Sequence, residues 1–270
     1  MNLWILILIP WLVLAVLMSL LWLYQKKTHN AGIVDVAWSF GTALTAIWFA
    51  YGASGDPNRR VLVGTIAGIW GVKLGYYLLS RLKDAHEDRR YTMLREKWGD
   101  QTQLRMAIVF QIQAFWAVLF ALPMLLASMN PEPGLQWYDW LGLAIWIVSI
   151  VGTGIADAQL NAFRKDSENS SKVCKRGLWK YSRHPNYFFE WIHWWAYVAI
   201  GFAGDWGWLT LLGPAVMLFF LLKVTGIPIT ERALVRSRGE AYKEYQRTTS
   251  SFIPLPPKDS TKSDRNGDEQ

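Results

Sequence analysis

The chain has 270 residues, 52% of them apolar or aromatic, and a formal net charge of +7. Its apolar residues gather in runs of about 18–24, each long enough to cross a hydrocarbon core of about 30 Å at about 1.5 Å per residue. That excludes a water-soluble enzyme, a secreted disulfide scaffold and a disordered chain, and the one cysteine, Cys174, can neither close an internal disulfide nor build a cysteine-based zinc site.

Taken in chain order, the runs predict spans at about 3–24, 33–52, 61–80, 106–128, 138–160, 186–203 and 206–225. The fold class expected is therefore all-α, a multi-pass membrane bundle of about seven helices. The first run lacks a basic leader and is too long for a signal peptide, so it reads as a retained anchor. The 17 Trp suit interfacial aromatic belts. Residues 1–130 form an amino-terminal set of four spans on the expected substrate side. Residues 131–257 carry the last three spans and a tail helix, and 258–270 is a polar stretch expected to be disordered.

The placement of charge sets a direction. Lys and Arg number two in 25–30, seven in 81–105, seven in 161–185 and eight from 226 onward, while 53–60 holds only Arg59 and Arg60. The bias is 24 on one side against 2 on the other, so the amino terminus is expected outside and the carboxyl tail in the cytoplasm. A nucleic-acid binder is the rival reading of a pI near 9.4. It fails because the charge alternates with the spans instead of forming one basic face.

Polar groups in lipid are costly and mark function by default, although each alone can be an anchor or a helix–helix bond. Three stripes stand out. In the sixth run Asn186, Glu190, His193 and Tyr197 are spaced 4, 3 and 4, and share one helical face. In the fifth, Asp157, Asn161 and Arg164 lie at i, i+4 and i+7, and in the seventh Lys223, Ile227 and Glu231 lie at i, i+4 and i+8, with a kink expected at Pro228. All three point to the same membrane face beside the cationic 161–185 loop. They predict a cytoplasm-facing pocket for a large anionic ligand. The charged stretch from Arg81 to Tyr91 reads either as a cap over a ligand or as a solvated helix. The weakness of surface pairs such as Lys83/Glu87 and Glu87/Arg90 leans toward the second.

Several chemistries are excluded. Glu190-Trp-Ile-His193 is a single Glu-x-x-His, and a carboxylate-bridged di-iron site needs two copies and two further Glu. The four histidines, His29, His86, His184 and His193, are too few for a histidine-rich membrane oxygenase. Rossmann, Walker A and nucleophile-elbow sequences are missing.

The run Arg183-His184-Pro185-Asn186-Tyr187, about 20 residues after the Asp/Asn/Arg helix end, resembles the C-terminal domain of the steroid 5α-reductase superfamily. Glu231-Arg232 and the tail from Arg238 to Tyr245, closing at Phe252-Ile253-Pro254, fit as well. The closest branch is the bacterial multi-pass one of unknown function, which Glu87-Asp88 and Tyr91 resemble specifically. The resemblance covers most of the chain and is strongest over 150–254. It implies a bacterial cytoplasmic-membrane enzyme with a cofactor held among the last helices, at positions matching Asp157, Arg164, Arg183, His184, Asn186, Tyr187, Glu190 and Glu231. The Gln-Glu pair of the animal steroid reductases has no match, and Asp35 is the only acid of its span.

The resemblance implies, and the cationic loop agrees with, an expected NADPH-dependent reductase of a C=C bond conjugated to a carbonyl in a lipophilic, steroid- or isoprenoid-like substrate drawn from the bilayer. Cations of the 161–185 loop, Lys172 among them, with Arg81, would hold phosphates; Asn161 lies on the same face as Asp157. A Tyr or a protonated carboxyl would polarise the carbonyl, with Tyr76, Tyr77, Tyr91 and Asp35 as unranked candidates. The alternatives are an S-adenosylmethionine-dependent methyltransferase of a lipid or prenylated substrate, and a non-catalytic membrane protein. No nucleic-acid partner is expected.

Overall fold

The computed structural model describes residues 1–82, 87–169 and 171–258, apart from the Arg89 side chain. Lys83, His86 and all but the first residue of the polar tail lie outside the described residues. Among the described residues the protein is helical, with no strand. The helices are α1 (Leu3–Thr28), α2 (Ile33–Gly52), α3 (Pro57–Leu82), α4 (Arg89–Trp98), α5 (Thr102–Ser128), α6 (Trp137–Lys165), α7 (Pro185–Gly201), α8 (Leu212–Phe219), α9 (Ile227–Arg238) and α10 (Glu240–Thr248). Six helical stretches are long and apolar enough to cross a membrane. The sixth expected span, α7, has 17 residues, about 25 Å at about 1.5 Å per residue.

Several helices outrun the expected spans, because charged residues at their ends continue the helix past the apolar run. The ends are chemically marked. The Asn2 side chain accepts from the Trp4 N–H, Asp56 accepts from Asn58 and Arg59 before α3, and Asp88 accepts from Arg90 before α4. One expectation is corrected at the seventh run. It does not continue as one kinked helix. Phe220–Val224 forms a π-helical turn, the backbone breaks at Gly226 (φ −82, ψ −102), and α9 restarts with Pro228 in its first turn. Lys223 and Glu231 therefore sit on different helices and share no stripe.

The chain divides into two compact units, residues 1–142 with 197–213, and 143–196 with 214–270. They interleave along the sequence, where a single boundary at 130/131 was expected. In the first unit α2 packs on α3 and α5, and α1 packs on α5 and α2. Gly71 lets α3 approach α2 closely, since a Cβ there would overlap the Ala43 side chain.

At one end of this unit Arg59 and Asp139 form an ion pair whose side chains are both 0% exposed. Arg59 Nε donates to Asp139 Oδ1 at 2.8 Å and Nη2 to Oδ2 at 2.7 Å. Nη1 donates to the Asn130 and Glu132 carbonyls, and Nη2 to that of Gly134. All five donor sites of the guanidinium are engaged. Asp56 binds the Gly134 N–H at 2.9 Å, and the Gln136 N–H binds Asp139 at 2.8 Å. The start of α3, the 129–137 connection and the start of α6 are thus tied into one knot. The Gly134 N–H, with those of Arg59 and Asn58, holds the Asp56 carboxyl below its ordinary range.

In the second unit α6 and α7 meet where Gly152 lies under the Phe189 ring, and Ser149 Oγ donates to the Phe189 carbonyl at 2.7 Å. Trp191 Nε1 donates to the Pro214 carbonyl at 2.9 Å. After α10 the chain returns. Ser182 and Ser250 form an isolated parallel bridge, the Leu255 N–H donates to the Tyr181 carbonyl at 2.9 Å, and Phe252 packs against Phe188 and Trp191.

Removing one partner of a buried pair strands the other charge, which costs roughly 3–5 kcal/mol. Arg59→Met should therefore lower the thermal midpoint of the detergent-extracted protein sharply or abolish its monodisperse size-exclusion peak. The double variant Arg59→Met/Asp139→Leu should recover part of that loss, but not all, since the three carbonyls stay unpaired. Equal stability of the single and double variants would show that the stranded carboxylate is not the source of the cost.

Candidate functional site

The second unit's site is built on the loop between α6 and α7. That loop is pinned to α6, where Trp179 Nε1 donates to the Ala156 carbonyl and the Leu178 N–H to Gln159 Oε1, each at 2.9 Å. It is pinned to α10 by Tyr245, whose hydroxyl donates to the carbonyls of Trp179 and Ser182. Ser182 closes the frame. Its hydroxyl donates to the Phe252 carbonyl at 2.8 Å and accepts from the His184 N–H at 3.1 Å.

Within that frame Glu231 of α9 is the hub. Arg183 Nε donates to its Oε1 at 2.6 Å, and the Gln246 amide to its Oε2 at 2.7 Å. His184 Nε2 lies 3.2 Å and the Tyr242 hydroxyl 3.5 Å from Oε1. Arg183 Nη1 also donates to the carbonyls of Gln246 and Thr249. His184 stacks on Tyr187 with the rings 7° from parallel, and the Tyr187 hydroxyl is 3.4 Å from that of Thr230. Burial pushes the His184 imidazole below its ordinary range, outweighing the opposite pull of Glu231. Burial and the Glu231 carboxylate push the Tyr242 hydroxyl up, so it stays a donor.

Four residues expected at a cofactor site therefore meet: Arg183, His184, Tyr187 and Glu231. They meet as a packed knot. Arg183 is buried, with its Nε on Glu231 and its Nη1 on two carbonyls. A second pair stands at the start of α7, where the Asn186 amide donates to Asp157 Oδ1 at 3.2 Å. Glu190 follows one turn on, half-buried like Asp157 and Asn186, whereas His193 is fully buried with its ring edge-on to Trp194. Asn161, Arg164 and Lys172 are exposed, as are Lys175, Arg176 and Lys180 of the same loop.

The first unit holds a different cluster. Tyr91, 4% exposed, donates its hydroxyl to Asp35 Oδ1 at 2.9 Å, and Arg90 Nη2 donates to Oδ2 at 2.7 Å. Arg90 also pairs with Asp88 at 3.0 Å. Burial acts to raise the Asp88 carboxyl, but its hydrogen bonds and charge contact with Arg90 prevail and hold it low. Two of the four carbonyl-polarising candidates, Asp35 and Tyr91, are thus partners. Tyr77 lies under the Arg81 guanidinium at 5.9 Å, and Arg81 is 4.0 Å from Asp88. Tyr76 is 71% exposed and makes no hydrogen bond among the described residues. The expected Glu87/Arg90 surface pair is replaced. Glu87 pairs with Arg95 at 2.9 Å and accepts from the Ala31 N–H at 2.8 Å, while Arg95 also donates to Gln25 of α1. Of the described residues of the segment, Glu87 is tied to the turn before α2 and Arg90 and Tyr91 to Asp35 of α2.

Gln246, Tyr242 and Tyr245 escaped the sequence reading as site residues. The available signal was the spacing of Tyr242, Tyr245 and Gln246 at i, i+3 and i+4, which puts one aromatic and polar face on an otherwise charged helix.

No curated protein and no solved structure matches the chain. A family model described as protein of unknown function (DUF1295) matches residues 21–249. The match covers most of the chain, including the α6–α7 loop, α9 and α10, and the protein belongs to that family.

Proposed function

We propose that the protein is a membrane-embedded, NADPH-dependent reductase of a C=C bond conjugated to a carbonyl in a lipophilic, steroid- or isoprenoid-like substrate. The observation that carries this reading is the packing of the Arg183–Tyr187 run onto Glu231, in one unit with the Asn186–Asp157 pair and a loop of exposed cations. Its resemblance to the steroid 5α-reductase superfamily supplies the chemistry. The setting proposed is a bacterial cytoplasmic membrane, with the amino terminus outside and the cationic loops inside.

The donor set suits a dinucleotide. Lys172, Lys175, Arg176 and Lys180 are exposed, and their charges match a polyphosphate. Arg183 keeps the loop in shape and leaves the phosphates to those four and Arg164. Asn186 and Glu190 offer an amide and a carboxylate on one α7 face for the ribose or carboxamide. Bound NADPH would supply a hydride to the β-carbon. Tyr76, Tyr77, Tyr91 and Asp35 stay the unranked candidates for polarising the carbonyl, and the one hydroxyl hydrogen of Tyr91 is held by Asp35.

Reporter fusions test the orientation. Fusions at 95, 170 and 260 should report the cytoplasm, and those at 55 and 133 the opposite side. An external signal at 170 would remove the cofactor's access route.

Titration of the purified protein should show NADPH binding that weakens as salt rises, because phosphate–cation contacts are screened. Tighter binding of S-adenosylmethionine would favour a methyltransferase in the same loop, and binding of neither would favour a non-catalytic membrane protein.

Glu190→Gln keeps the shape of the side chain but exchanges an acceptor-only carboxylate for a group that also donates. If Glu190 orients the nucleotide, affinity or rate should fall roughly 5–150-fold, equivalent to about 1–3 kcal/mol. His193→Gln should cost less. Intact NADPH affinity in the first variant with a large loss in the second, at equal folded fraction, would move the working end deeper along α7.

A further inference from the structure

The first unit carries a groove that none of these polar clusters uses. It runs between α2 and α3, measures about 900 Å³ and is open along one side. Its walls are mostly apolar, formed by Ile47, Ala50, Val61, Gly68, Ile69 and Val72, with Thr65 midway and Lys73 at the end away from Arg60. A volume of this size is at the upper end of the range of about 300–1,000 Å³ typical of small-molecule sites, which suits a long-chain occupant. Val61 and Val72 are 69% and 61% exposed, so the walls need a greasy surrounding or a greasy guest.

Arg60 lines the groove at its α3 start. Its Nε donates to the Ala50 carbonyl at 2.6 Å and its Nη2 to that of Tyr51, the last acceptors of α2. It has no carboxylate partner among the described residues. Two of its five N–H groups are thus engaged, which leaves Nη1 and one Nη2 hydrogen for an anion. Its neighbour Arg59 is closed inside the Asp139 knot and offers nothing. A guanidinium already oriented by two carbonyls presents a fork that matches a phosphate.

The distances agree with one lipid leaflet. Half of a hydrocarbon core is about 15 Å, or about ten residues of α3 at about 1.5 Å each. Starting from Arg60 that reach takes in Val61, Gly64, Gly68 and Ile69, the apolar stretch of the groove. A cation at the mouth and one leaflet's depth of apolar wall beneath it complement an amphiphile with a negative head and a straight tail.

We propose that the α2–α3 groove seats a phospholipid from the leaflet at the Arg60 end. Its phosphate is held by Arg60 and one acyl chain lies along Gly64, Gly68 and Ile69. The site is independent of the reductase reading and stands or falls without it.

The probe is phosphatidylglycerol with a diazirine at the end of one acyl chain, added to vesicles containing the full chain. After illumination, adducts are mapped by peptide mass spectrometry. They should concentrate on Ile47, Gly68 and Ile69, with little on the outward α1 residues Leu12, Val13 and Val16. Arg60→Gln should lower the groove adducts about 3–10-fold, the loss expected for a partly exposed charged hydrogen bond. Thr65→Phe, which fills the groove and keeps Arg60, should lower them too, and Arg60→Lys should restore most of the yield. Variants are compared as monodisperse protein, so that misfolding is excluded. Equal labelling of α1 and the groove, or an unchanged yield in both Arg60→Gln and Thr65→Phe, would mean ordinary boundary lipid and overturn the proposal. A spontaneous disulfide dimer of Thr65→Cys would put a second copy of the chain in the groove and overturn it as well.

Discussion

An ionised side chain removed from both water and lipid has to find its partners within its own chain. Desolvation costs several kcal/mol per ion, and that cost is recovered only where the geometry is good and every donor is used. Arg59 meets the condition with a carboxylate and three backbone carbonyls. Three parts of the first unit that are remote in sequence are held in one place as a result. In the second unit Arg183 is held by Glu231 and two carbonyls through Nε and Nη1, and there the α6–α7 loop, α9 and α10 converge. The positions of the more open polar groups depend on these closed ones.

The division of labour within the second unit follows from that. Buried groups such as Arg183, His184 and Tyr245 are engaged by the protein itself and give the loop one shape. Lys172, Lys175, Arg176 and Lys180 of the same loop are exposed, with Lys175 and Lys180 lying over the Tyr245 and Tyr181 rings. A loop held rigid beforehand loses less freedom when a polyanion binds, which favours affinity without additional contacts. In the first unit the Asp35–Tyr91–Arg90 cluster is closed in a similar way, with the Tyr91 hydrogen and one Arg90 N–H both given to Asp35.

Much of this is readable in the sequence, and the exceptions have physical causes. The long helices follow from hydropathy, because a run of about 20 apolar residues has few other destinies. Their ends are less legible, since Arg164 and Lys165 extend α6 in water as readily as alanine would. The break at Gly226 is hidden by an apolar sequence on both sides of it, and only Gly226 and Pro228 hint at it. The Arg59–Asp139 pair joins residues 80 positions apart, and each looks like an ordinary charge at a span boundary. The expense of placing Asp139 inside a span was the missed signal. Arg183 was legible as a cation of the loop, but its partner Glu231 was not, because a sequence reveals a cation without revealing which anion it faces.

The return of the chain after α10 affects the order in which the molecule can be made. Residues 250–255 bond to Tyr181, Ser182 and Arg183, about 70 positions upstream, and Phe252 fills the space between Phe188 and Trp191. During synthesis the spans of the first unit emerge and can pack early, as amino-terminal elements generally do. The Arg183–Tyr187 loop cannot take its final shape until residues 250–255 have left the ribosome. Until then its cations and the uncovered Trp191 ring remain without their tail partners. A nascent chain of this protein therefore sets the α6–α7 loop after the helices that precede it, which makes residues 250–255 the segment that commits the loop to its folded form.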